Sequence, residues 1–199
     1  MKNGALFSLA IGLILVSLSG WVLAGPVSIP FSDDFENLTN GTPLINGTNG
    51  WYADSSNAVV QTNMVSSGTN AAQIPIDCTL SNRVVSAAYT SIWIQIDSRI
   101  IRYDGENPPT VNTNVAVYFY ANSNGNIVVH NGAASPSTTN STNWVTLTNI
   151  ITGAAAVPVT ETNWTRIDLH QDFTAKTWDL FVNYVLMTNN IGFINTNVS

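Results

Sequence analysis

Ser91-Ile92-Trp93-Ile94-Gln95-Ile96-Asp97-Ser98-Arg99-Ile100-Ile101-Arg102-Tyr103 is the stretch on which the fold turns. Ile92, Ile94 and Ile96 alternate with Trp93, Gln95 and Asp97. Successive side chains on a strand point to opposite sides, so this spacing makes one apolar face and one polar face. A helix would scatter the same residues around its axis. The stretch predicts a strand in a sheet with one face buried, and β-branched isoleucines suit that pleated surface.

The pattern recurs on both sides. Val115, Val117 and Phe119 alternate with Ala116, Tyr118 and Tyr120. Ser123-Asn124-Gly125-Asn126 then predicts a type I′ turn into Ile127-Val128-Val129-His130, because Asn-Gly accepts positive φ. Arg166, Asp168 and His170 alternate with Ile167 and Leu169. Asp172-Phe173-Thr174-Ala175 turns that strand into residues 176–184, where Trp178, Leu180 and Val182 share a face. A further hairpin is expected at Asn189-Asn190. Upstream, residues 29–35 read as a first strand, and residues 58–65 and 71–76 bracket the turn Ser66-Ser67-Gly68-Thr69. Residues 143–151 read as another strand, after a long surface loop over 134–142. Short strands between Asn, Gly, Ser, Thr and Pro clusters predict an all-β fold, an antiparallel sandwich of jelly-roll type.

The front of the chain reads as a signal peptide over residues 1–24. Lys2 supplies the positive start, the run from Ala5 to Leu18 is apolar, and Val22-Leu23-Ala24 suits a cut after Ala24. The run is shorter than a bilayer span and no basic cluster follows it. The mature chain, 25–199, is then expected as one secreted or surface-associated domain without a transmembrane segment.

Composition excludes several function classes. Charged residues make up 9% of the chain and the net charge is −6. A chain with so few basic groups cannot neutralise a phosphate backbone, which argues against nucleic acid as a partner. Cys78 is the single cysteine, so no intrachain disulfide forms, and it reads as a half-buried small hydrophobe. The histidines are His130 and His170 alone, which meets no zinc spacing, and no Gly-x-Ser-x-Gly occurs.

At Phe31-Ser32-Asp33-Asp34-Phe35-Glu36, followed by Gly50-Trp51, the chain resembles the start of concanavalin A-like lectin/glucanase domains, including laminin-G-like modules. Residues 164–169 and 177–183 are similar to the late hairpin of those domains. The resemblance implies a structural calcium near the first strand, with Asp34 and Glu36 as its candidate ligands. It also implies one or two strands beyond Ser199, so the chain reads as lacking its last strand. Residues 29–35 would then keep an unpaired edge, and self-association through that edge is expected.

Glucanase chemistry in this family would call for a Glu-x-Asp-x-Glu-like strand. Residues 93–97 offer Gln95 and Asp97 without a glutamate, and Asp168 has only His170 beside it. No catalytic residue is assigned. Trp93, Gln95, Asp97, Tyr118 and Tyr120 are the candidate glycan contacts: sugars present apolar C–H faces and hydroxyl rims, which aromatic rings and polar side chains match. Trp51, Trp144, Trp164 and Trp178 are assigned to packing. The function read from the sequence is a non-catalytic, carbohydrate-binding or adhesive module. The alternatives are a polysaccharide-cleaving enzyme using Asp97 or Asp168, and a purely structural domain of a larger surface protein.

Overall fold

The computed structural model describes residues 27–75, 78–82, 89–111, 113–132, 143–147 and 158–198. The expected signal peptide, the loop expected over 134–142 and the end of the strand expected over 143–151 lie outside the described residues. The protein is all-β, and every strand ladder among the described residues is antiparallel. Two compact units emerge, one in the first part of the chain and one from residue 88 onward.

The first unit holds β1 (Trp51–Ala53), β2 (Val59–Gln61), β3 (Ala71–Gln73) and β4 (Leu80–Asn82), paired as β1 with β4 and β2 with β3. The β2–β3 hairpin is the one expected around Gly68. Residues 29–35 are not a strand. The cause is Asp33, whose Oδ1 accepts the Phe35 N–H at 2.9 Å and the Asn49 amide at 3.1 Å. Its Oδ2 accepts the Trp51 indole N–H at 2.6 Å. Side-chain acceptors of this kind compete with a ladder for backbone donors. Phe35 turns left-handed, φ 64°, and its ring packs on Trp51 at 5.7 Å.

The second unit begins with β5 (Ser91–Ser98), the strand that the alternating isoleucines predict. It ends at Ser98, not Tyr103. Then come β6 (Phe119–Ala121), β7 (Ile127–His130) and β8 (Trp144–Thr146), which form a three-stranded sheet in that order. Last are β9 (Thr165–Asp172), β10 (Thr177–Val182) and β11 (Val185–Gly192). These join β5 in a four-stranded sheet of order β11-β10-β9-β5. β5 pairs with β9 by placing Trp93 opposite His170, Gln95 opposite Asp168 and Asp97 opposite Arg166.

The inner faces make the core. Ile167, Leu169, Trp178 and Leu180 are essentially fully buried, and Trp178 meets Phe119 of the other sheet at 6.4 Å. Each such aliphatic side chain contributes roughly 1.5–3 kcal/mol by leaving water. Val111, Val115, Tyr118 and Ile194 form a second cluster, with Trp144 against it. Residues 115–119 are buried on both sides, so the alternation there does not separate an inner from an outer face. The arrangement is sandwich-like within this unit.

Two turns exchange roles relative to the sequence reading. The 122–126 loop does close the β6–β7 hairpin, but only Gly125 has positive φ, +81°. Gly125 N–H donates to the Asn122 carbonyl at 2.7 Å, and the Asn122 side chain caps the amides of Asn124 and Asn126 at 3.0 Å. This is a three-residue loop with a glycine bulge, because Asn122 supplies the closing acceptor from its side chain. The type I′ geometry belongs to Asn183 (φ 48°) and Tyr184 (φ 67°), between β10 and β11. Asn189-Asn190, expected as a hairpin, lies inside β11.

Candidate functional site

The outer face of the four-stranded sheet brings several polar side chains of the second unit together. On β5 the exposed residues are Ser91, Trp93, Gln95 and Asp97. On β9 they meet Arg166, Asp168 and His170, and on β10 Asp179 and Phe181. Period-2 alternation puts these on one side while Ile167, Leu169, Leu180 and their neighbours face the core.

Trp93 is the centre of the face. Its ring stacks on the His170 imidazole at 4.6 Å and 20°, and tilts onto Phe181 at 5.7 Å and 40°. Even so stacked, Trp93 is 62% exposed. On one flank is a cationic network. Arg166 Nε donates to both Asp168 oxygens, at 3.0 and 2.9 Å, and Nη2 donates to Gln95 Oε1 at 2.7 Å. Nη1 donates to the Tyr184 hydroxyl at 3.1 Å, with the guanidinium carbon 4.4 Å from the Tyr184 ring centre. The hydrogen bond Arg166 donates to Asp168 raises its already high pKa further. Asn183 positions this flank, since its side chain accepts the Arg166 backbone N–H at 2.9 Å.

On the other flank three side chains form a chain across three strands. Ser91 Oγ lies 2.8 Å from His170 Nε2. His170 Nδ1 lies 3.0 Å from Asp179 Oδ2. An ionised carboxylate only accepts, so Nδ1 carries a proton toward Asp179, and in the neutral imidazole Nε2 then accepts from the Ser91 hydroxyl. Asp179 is held in turn by the Asn190 N–H, which donates to Oδ1 at 2.8 Å. β11 carries an extra residue opposite Asp179: the register shifts between Trp178 and Leu180, and Asn190 has φ 55°. A bulge re-aims the groups around it, and here it points an amide at the carboxylate.

Of the residues singled out from sequence, Trp93, Gln95 and Asp97 lie together on this face. Tyr118 and Tyr120 do not join them. Tyr118 is 7% exposed and packs edge-on to Trp144 at 5.8 Å. Tyr120 is half-buried on β6, edge-on to Tyr103 at 5.4 Å and Trp144 at 5.1 Å, and burial raises its hydroxyl pKa. The outward aim read for Tyr118 fails because the segment around it is covered on both sides. Ser91, Asp179 and Tyr184 went unnoticed in the sequence. Their only trace there is the turn chemistry at Asn183 and the parity of Ser91 with Trp93.

The candidate calcium ligands Asp34 and Glu36 accept hydrogen bonds within the first unit. Glu36 Oε1 accepts the backbone N–H groups of Thr69 and Asn70, each at 2.8 Å, and Oε2 accepts the Thr69 hydroxyl. These bonds, the Thr69 hydroxyl first, lower its pKa. Asp34 Oδ1 accepts the Glu36 N–H at 3.1 Å. Among the described residues, no three His, Cys, Asp or Glu side chains gather to hold a metal ion. Cys78 is free and half-buried, and burial together with Asp54 raises its thiol pKa. His130 is 3% exposed, beside Trp144, with Nδ1 unpartnered, and burial lowers its pKa. No helix among the described residues is long and apolar enough to cross a membrane.

No family model, no curated protein and no solved structure matches this chain.

Proposed function

We propose that the outer face of the β11-β10-β9-β5 sheet binds carbohydrate. The observation that carries this reading is Trp93, an indole stacked on His170 and 62% exposed. The negative face of the ring suits the C–H side of a pyranose. Gln95 and Asp97 on the same strand, with Arg166 across from Asp97, supply donors and acceptors for the hydroxyl rim. Tyr184, 75% exposed and held over Arg166, gives the far end of the face a second aromatic surface.

In this reading the chain is a secreted or surface module, exported by the leader over 1–24. The concanavalin A-like jelly roll remains the proposed finer fold, supported by the β9–β10 hairpin. Calcium has no assigned part in the sugar contact. Self-association, if an open edge drives it, falls to β5 as an outer strand of its sheet, since residues 29–35 form none. The cleaving-enzyme reading is weaker, because Arg166 occupies both oxygens of Asp168.

The test is a glycan array with the chain from Gly25, followed by titration of the best hit. Trp93→Ala should weaken binding by about 2 kcal/mol, on the order of thirtyfold, as expected for an interface tryptophan. The melting curve should change little, since most of the ring is in water. Wild-type affinity in the Trp93→Ala protein, or no glycan bound by folded wild type, would sink the proposal.

A further inference from the structure

Ser91, His170 and Asp179 do more than a binding surface requires. We infer that they form a serine nucleophile, its general base and the residue that orients the base, and that the face hydrolyses an acyl ester carried on a sugar hydroxyl. The substrate class rests on the carbohydrate reading above; the nucleophile does not.

Four observations converge. The two contacts, 2.8 Å from Ser91 Oγ to His170 Nε2 and 3.0 Å from His170 Nδ1 to Asp179 Oδ2, lie at hydrogen-bond distance. In the neutral imidazole, a proton on Nδ1 toward Asp179 leaves Nε2 free to take the serine proton. Each partner is itself held: Trp93 stacks on the imidazole, and Asn190 N–H fixes Asp179 from the bulge opposite it. Ser91 is exposed and stands two residues before Trp93 on the same face of β5, roughly 7 Å along the strand. A sugar stacked on the indole would therefore bring a substituent on its rim to the serine oxygen.

The chemistry balances with water alone. Ser91 Oγ attacks the ester carbonyl and its proton passes to His170 Nε2. The tetrahedral adduct collapses, the bond to the sugar oxygen breaks, and that oxygen takes the proton from His170. The acyl group is now on Ser91. A water gives a proton to His170 as its oxygen adds to the acyl carbon. Collapse releases the carboxylic acid, and Ser91 Oγ recovers the proton from His170. Asp179 stays ionised throughout, orienting the imidazole and stabilising its charged form.

The experiment treats the folded full-length chain with a fluorophosphonate probe and locates the label by peptide mass spectrometry, with p-nitrophenyl acetate turnover in parallel. The label is expected on Ser91, absent in Ser91→Ala, and at wild-type rate in Ser98→Ala at the other end of β5. Asp179→Asn should slow labelling and turnover at least on the order of a hundredfold. Its amide would donate to Nδ1 and force the proton onto Nε2, the wrong tautomer. No label on wild type, a label on another serine, or undiminished labelling of Asp179→Asn would each overturn the inference. Both probes are small and need no sugar site. Failure of the glycan reading leaves this test standing, and failure here leaves glycan binding to its own assay.

Discussion

Tyr184 offers a test in which contacts and backbone geometry pull in opposite directions. It occupies the second position of the type I′ turn at φ 67°, a conformation that bulky L-residues rarely adopt. Its ring and hydroxyl engage Arg166. Replacing it by Ala or by Gly removes those contacts equally, so the comparison isolates the backbone. The left-handed conformation costs an L-residue about 1–2 kcal/mol, and glycine nothing. Glycine in turn loses about 0.4–1 kcal/mol more chain entropy on folding than alanine. The difference leaves Tyr184→Gly more stable than Tyr184→Ala by roughly 0.5–1 kcal/mol, opposite to the usual order of those residues. Paired urea melts of the two variants read this directly. Thermal melts should place the Gly variant a few degrees higher, since 1 kcal/mol moves a domain of about 100 residues by roughly 4–8 °C. An alanine variant as stable as the glycine one, or more so, would refute the argument. If the strain is retained for the sake of the ring, both variants should also lose glycan affinity by similar factors.

Gly68 sits at φ +70° with Glu36 Cδ 2.9 Å from where a Cβ would stand, so Gly68→Ala should cost the first unit about 2 kcal/mol or more in a denaturant melt. Glu36, its pKa lowered by Thr69 and Asn70, stabilises the fold while ionised. That contribution is present above the ordinary value of 4.5 and is lost as pH falls through the lowered one; exchange rates of the Thr69 and Asn70 amides should rise over that interval, and Glu36→Gln should flatten the response. His130 has the opposite sense, because the fold holds it neutral while the unfolded chain binds a proton below about 6.5. Stability of the second unit should decline as pH drops from 6.5 toward the lowered folded value, by at most about 1.4 kcal/mol per pH unit, and His130→Phe should remove that slope in pH-dependent melts.

Which parts were legible depends on whether the cause is local. The strands β5, β9 and β10 could be read because each carries its own alternation, and the Asp172 turn because its carboxylate caps Thr174 and Ala175 within the same segment. The 29–35 segment misled because its conformation is set by Asp33 reaching Asn49 and Trp51, well over ten residues away. Tyr118 misled because parity separates two faces but cannot report that both are covered. The Asn-Gly pair suggested a type I′ turn, yet the Asn122 side chain closed that loop differently.

From the amino-acid order alone come the all-β class and the sidedness of the main strands, because side-chain alternation is a property of the strand itself. It also places Trp93, Gln95 and Asp97 on a single face. Which strand lies beside β5 is decided only by folding, and with it the meeting of Ser91, His170 and Asp179 and of Gln95, Arg166 and Tyr184. Register is a relation between segments more than sixty residues apart, fixed by how their buried faces pack together, and no single segment encodes it.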